Sequence, residues 1–227
     1  ELRDALKDAV TDADALPKSD KGGPWALDAD LNQQSYFLDT SGKVNEQTVD
    51  SWIAMLNGLG VMQLDLHAGY AFRFGDYVPN PVEYPNGRES LKAVVDRLHE
   101  AGIAVGLHTY AMFIAKNTPW VTPVPDPGLA KNAVFTLAGD LSDSDTTVPV
   151  METTEKMSPL TGFHHRNSAT IQIDDELIVF AAVSKEEPYA FTQCTRGAYG
   201  TTPAAHAKNS KVYHLKECFG LFAPDPD

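Results

Sequence analysis

The chain predicts an α/β protein: a β-α-β-α-β succession with parallel strands, followed by a small antiparallel β module. Three observations carry this. Apolar strand-like runs at 61–67 and 103–110 end in polar residues and are joined by a well-formed amphipathic helix. The joints from helix to strand are short, as crossover units require. From Thr118 onward, Pro119, Pro123, Pro125 and Pro127 mark a boundary, and beyond about residue 132 short alternating runs replace the helices.

The elements follow in order. Leu2, Ala5, Leu6 and Ala9 recur at helical spacing and predict a helix to about residue 12. Residues 16–33 hold Pro17, Gly22, Gly23 and Pro24 and read as a connection, and Ser35–Asp39 reads as a short buried strand. Asn45 is placed to cap a helix whose face is Val49, Trp52, Ile53 and Leu56, with Gly58 and Gly60 ending it. Strand 61–67 follows. A loop over 68–86 carries Tyr70, Phe72, Phe74, Tyr77 and Tyr84 with Arg73 and Asp76. Its rings either bind a ligand or cap the core. Leu91, Val94, Val95 and Leu98 define a helix over 87–101, with Asn86 and Glu89 in capping-box spacing and Gly102 as its stop. Strand 103–109 is next. In the module, strands are expected at 134–137, 147–150, 170–173, 176–180, 189–194 and 211–215, with a tight turn at Asp174-Asp175.

Composition sets limits on function. An apolar fraction of 43% with 22% charged residues supports a real core. No run of about 18 apolar residues exists, so no membrane span is expected. Lys and Arg number 18 against 31 Asp and Glu, a net charge of −13, which disfavours nucleic acid and anionic membranes as partners. Cys194 and Cys218 form no Cys-x-x-Cys pair; they are either one disulfide or two buried thiols. No Gly-x-Ser-x-Gly and no Gly-x-Gly-x-x-Gly after a strand is present, so serine-nucleophile and dinucleotide chemistry have no support. The acidic stretch 140–145 lacks EF-hand spacing and reads as a solvated loop.

Parallel strands place chemistry at their carboxyl ends. Gln63, Asp65 and His67 share one face of their strand by the period of two; Ala104, Gly106, His108 and Tyr110 share one face of the next. Phe37 and Asp39 are expected to do the same on the first. The candidate binding residues are therefore Asp39, Asp65, His67, His108 and Tyr110. Asp65, His67 and His108 also suit part of a divalent site, but their spacing matches no standard motif, so neither metal nor cofactor is assigned. Trp120 is either a ring platform or a loop plug.

Residues 35–110 resemble the start of a glycoside hydrolase barrel of the α-galactosidase-like kind. The stretches that carry the resemblance are Gly60-Val61-Met62-Gln63-Leu64-Asp65-Leu66-His67, Gly75-Asp76-Tyr77, Tyr84-Pro85-Asn86-Gly87-Arg88-Glu89-Ser90-Leu91-Lys92 and Leu98 through His108. The resemblance implies a partial (β/α)8 TIM-type barrel, its first three β/α units in residues 1–130, with residues 131–227 as an inserted module. It implies an oligosaccharide or polysaccharide substrate held by the five residues above, and an extracellular or periplasmic location. A full barrel takes about 250 residues, and such enzymes draw both catalytic carboxylates from later strands. No catalytic residue is therefore assigned, and the rest of the barrel becomes an expected partner.

Residues 170–215 resemble instead a small β module of viral and phage structural proteins, through Ile173-Asp174-Asp175-Glu176-Leu177-Ile178, Arg196-Gly197-Ala198-Tyr199-Gly200-Thr201 and Ala205-His206. That implies an accessory unit with His206 as a turn anchor. Three functions are thus weighed: a glycoside hydrolase or a portion of one, a non-catalytic glycan-binding or surface assembly protein, and a metal-dependent hydrolase.

Overall fold

The computed structural model describes residues 1–16, 18–19, 21–29 and 36–225. Pro17, Ser35, Pro226 and Asp227 lie outside them. Two compact units are present: Glu1–Arg73 with Tyr77–Thr109, and Phe74–Asp76 with Tyr110–Asp227.

The first unit opens with α1 (Leu2–Asp12), whose start is closed by a reciprocal Glu1/Asp4 capping box. None of its residues is buried, and Leu2 is 77% exposed. The helix is tied instead by Arg3 and Lys7, which both pair with Asp28 at the end of a 3-10 turn over Gly23–Asp28. The apolar spacing thus produces the helix without a buried face.

The three strands β1 (Tyr36–Asp39), β2 (Gln63–His67) and β3 (Ala104–His108) form a parallel sheet in the order β1-β2-β3. α2 (Val49–Leu59) links β1 to β2, and α3 (Arg88–Glu100) links β2 to β3. Leu64 and Leu66 are fully buried, as are Val49 and Leu56 of α2 and Val94 and Leu98 of α3. One face of the sheet is therefore apolar and the other carries Gln63, Asp65 and His67, all half-buried. Gly60 closes α2 in the left-handed region (φ 68°), where a β-carbon would be strained.

The expected Asn86/Glu89 capping box does not form. Gly87 occupies the cap position of α3 without a side-chain bond, and the Ser90 Oγ accepts the Asn86 N–H at 3.2 Å. The aromatic loop after β2 divides by burial: Phe72 and Tyr84 are buried, and Tyr84 donates its hydroxyl proton to the Val44 carbonyl at 2.8 Å, while Tyr70 is exposed.

The second unit is antiparallel. β4 (Lys131–Thr136), β10 (Lys211–Leu215), β6 (Thr170–Ile173) and β7 (Glu176–Val179) form one sheet in that spatial order. β5 (Val148–Pro149), β9 (Ala190–Thr192) and β8 (Ala182–Val183) form another, and β11 (Glu217–Cys218) with β12 (Leu221–Phe222) a hairpin. Asp174 makes the β6–β7 turn at φ 48°. Phe135, Ile171, Ile178, Phe180, Phe191 and Val212 are the centre of the core. Both faces of β6 and most of β7 are buried, so the polar Thr170, Gln172 and Glu176 are buried beside Ile171, Ile173, Leu177 and Ile178. Cys194 and Cys218 are free thiols, so no disulfide links them. The architecture is mixed α/β with a three-stranded parallel sheet and separate antiparallel sheets; the parallel sheet is open, with no closed barrel.

Candidate site at the strand ends

Register decides which predicted residues share a face. In the parallel ladder Asp65 lies opposite Gly106 and His67 opposite His108. The two imidazoles meet edge to face with centroids 4.8 Å apart, and Tyr70 adds a third ring 5.5 Å from His67. The Gln63 amide donates to Asp65 Oδ1 at 2.8 Å. Gly106 is needed for this arrangement, because a β-carbon there would sit 2.0 Å from Asp65 Oδ1. The His67 Nδ1–H donates to the Ala68 carbonyl, which puts a proton on that nitrogen.

Asp39 departs from expectation. It pairs with Leu66, and Leu38 pairs with Asp65, so Asp39 belongs to the apolar face and not to the face of Asp65 and His67. Its carboxylate is buried and accepts the Ser41 N–H (2.8 Å), the Ser41 hydroxyl (2.6 Å) and the Gly42 N–H (3.1 Å). This is a turn cap. Tyr110 departs as well. β3 ends at His108, so the alternation that groups Tyr110 with His108 does not extend to it. Tyr110 belongs to the second unit, stacked on Phe113 at 5.2 Å and tilted against Phe74 at 5.8 Å. Trp120 lies over Gly75, whose β-carbon would come within 2.9 Å of its ring; this is the plug reading.

Sequence reasoning passed over Glu83. It is buried and takes bonds from Lys43 and Asn45, joining the loops that follow β1 and β2. The Lys43 and Asn45 bonds hold its carboxyl below the ordinary range. Burial, with the charges of Asp39 and Glu83, pushes the neighbouring Tyr84 hydroxyl up. No local pattern marks a partner 40 residues away.

The second unit has two buried ionic clusters. Arg196 makes two parallel bonds to Glu176, at 2.8 and 2.7 Å, and the N–H groups of Gly197 and Ala204 bind the same carboxylate. His206 bridges Glu176 (2.8 Å) and Asp174 (2.9 Å). Thr201 Oγ1 accepts the Leu177 N–H. This explains the Arg-Gly…Gly-Thr…His stretch as a clasp closing the loop after β9 onto β7, with His206 as an anchor. Glu217 is likewise saturated by Lys116, Thr161, Ser168 and Thr170. Burial raises the Glu176 carboxyl, but the bonds from Arg196, His206, Gly197 and Ala204 hold it below the ordinary range.

Among the described residues, no group of three or more His, Cys, Asp and Glu is placed to hold a metal ion, so Asp65, His67 and His108 do not make a metal centre. What they make is a polar, half-buried shelf with carboxylate, amide and imidazole groups above two adjacent strand ends. No protein-family model, no curated protein and no solved structure matches this chain.

Proposed function

We propose that this chain is part of a carbohydrate-active protein, a glycoside hydrolase of (β/α) barrel type in which β1, β2 and β3 are the first strands. The sugar, an oligosaccharide or polysaccharide, lies at the carboxyl ends of β2 and β3. The observation that carries the reading is the convergence of Gln63, Asp65, His67 and His108 on one face, with the two imidazoles 4.8 Å apart. Vicinal hydroxyls need closely spaced donors and acceptors, and Tyr70 supplies an exposed ring for the apolar side of a sugar. β3 is an edge strand of the three-stranded sheet, a position that suits pairing with further barrel strands. In hydrolysis by such enzymes two carboxylates flank the scissile bond. The reading assigns Asp65, His67 and His108 to substrate contacts and assigns the catalytic pair to none of the residues here. Action on polysaccharides goes with an extracellular or periplasmic site.

A second reading has its own support. The Arg196–Glu176–His206 clasp is a purely structural device within a module that resembles viral and phage structural proteins, and a non-catalytic glycan-binding or surface assembly protein would use it as readily.

A panel of neutral oligosaccharides titrated into the chain, followed by imidazole NMR, tests the proposal. Shifts at His67 and His108 that disappear in Asp65→Asn are expected. A panel in which no sugar perturbs either ring, in this chain or in the intact protein, ends the carbohydrate reading.

A further inference from the structure

The second unit carries an exposed aromatic patch that no role above accounts for. Phe163 is 73% exposed and Phe219 36%, with ring centroids 5.6 Å apart, and buried Phe113 supports Phe219 from below at 5.9 Å. The Arg166 guanidinium lies 5.7 Å from the Phe219 ring, and His164 meets Phe163 at 5.4 Å. The patch is therefore apolar in its faces, with the Arg166 cation at its rim.

Two independent features mark it. The first is charge. The three segments that build it, 110–125, 156–173 and 218–224, contain no Asp or Glu, in a chain that has 31 of them. Acids border the segments at Asp126, Glu155, Asp174, Glu217 and Asp225, and of these Glu217 is buried and paired with Lys116 at 3.0 Å. The second is backbone strain. Phe219 and Gly220 turn the β11–β12 hairpin with φ of 56° and 79°, a turn whose first position favours Gly, Asn or Asp. A phenylalanine there works against its own backbone, and its ring is held out to solvent. The turn is braced by the Phe219 N–H, which donates to the His165 carbonyl at 3.0 Å, and by the close approach of Gly220 to Gly162. Strain kept in place by its surroundings and spent on presenting a ring points to binding.

We infer that this patch is a second binding site, for a short acidic saccharide. The C–H faces of uronate rings stack on Phe163 and Phe219, and a ring carboxylate takes the Arg166 fork. Charge complementarity selects the anion, since the Arg166 guanidinium borders the rings and the segments that carry them contain no carboxylate. The net charge of −13 favours a short ligand, because an extended polyanion would meet acidic surface beyond the patch. The choice of a saccharide over other small anions rests on the carbohydrate reading above.

Calorimetric titration of the 227-residue chain with trigalacturonate tests the site, with maltotriose as the neutral counterpart. Binding of trigalacturonate but not of maltotriose is expected, weakened about tenfold by Arg166→Ala. Phe219→Gly is the sharper variant. It relieves the left-handed position, so thermal stability is maintained or raised, while affinity falls about tenfold with the lost stacking face. Absence of trigalacturonate binding overturns the inference, as does equal affinity for maltotriose or unchanged binding in Phe219→Gly. Tighter binding of an oligothymidylate or of phosphatidylserine vesicles overturns it in favour of those partners. Loss of trigalacturonate binding in His108→Ala would move the ligand to the strand ends. Sugar shifts at His67 and His108 read that other site separately, so either site fails without the other.

Discussion

Asp65 and Gly106 show how one missing β-carbon shapes the shelf at the strand ends. The Asp65 carboxylate occupies the space a side chain at 106 would need. In Gly106→Ala the carboxylate must swing away and lose the Gln63 amide, at a cost of about 1 kcal/mol in stability and with weaker sugar binding. Denaturant melts of the single variants and of Asp65→Ala/Gly106→Ala check this; the costs should not add, since both changes act on one contact. The two thiols separate by the same local logic. Burial pushes Cys194 up to about 11, whereas Cys218 is only half-buried. Under native conditions near pH 8 a thiol reagent should label Cys218 and leave Cys194 until the unit unfolds, as peptide mapping would read. Neither the gap at 106 nor the burial of Cys194 is legible in sequence, because both depend on a neighbour brought in by folding.

At the scale of elements, much was legible. α1, α2 and α3, the three parallel strands and most strands of the second unit follow from periodicity, since apolar spacing of 3.6 or 2 is a local property. Helix starts were less so. Asn86 and Glu89 have capping-box spacing, yet Ser90 receives the Asn86 N–H and Gly87 takes the cap position. Ser90→Ala should therefore destabilise the first unit by about 1 kcal/mol, while Asn86→Ala stays within about 0.5 kcal/mol of the parent. Chemical denaturation of the two variants compares them directly. Asp39 carries the more general lesson. The period of two groups residues within a strand, but register alone says which parity of one strand matches which parity of the next. β1 pairs Leu38, not Asp39, with Asp65, and so Asp39 became a turn cap.

At the scale of the molecule, acid should act on both units, through Glu83 in the first and through His214 and Glu176 in the second. His214 is pushed down by burial, with Nε2 donating to the Ser168 carbonyl and Nδ1 without a partner. Its folded value lies below the unfolded one near 6.5. The stability from keeping it neutral is thus present above about pH 6.5 and is lost as pH falls toward its folded value. Burial raises Glu176, but the bonds from Arg196, His206, Gly197 and Ala204 more than offset that, and the net shift is downward. Its contribution is present above the unfolded value of about 4.3 and is lost as pH falls through the lower folded one. Melting temperature should accordingly fall in two stages on acidification, and His214→Phe should remove the first. Arg196→Met leaves Glu176 buried without its main partner and should cost about 3–5 kcal/mol, measurable by denaturant titration at pH 7.

By itself the sequence determined the local grammar: a helix between each pair of parallel strands, polar residues at the strand ends, antiparallel strands in the later part of the chain, and an anchoring histidine in a glycine-rich loop; the proline run 119–127 expected as a boundary lies inside the second unit, whose main segment begins at Tyr110. Those features depend on residues within a few positions of one another. The tertiary structure alone decided the register that pairs His67 with His108 and turns Asp39 away. It also placed Tyr110 in the second unit and closed Arg196 and His206 onto Glu176. It gathered Phe163 and Phe219 from segments more than fifty residues apart. The physical reason is common to all of these: side-chain spacing is set along the chain, whereas pairing, burial and charge compensation are set between segments that meet only in the folded state.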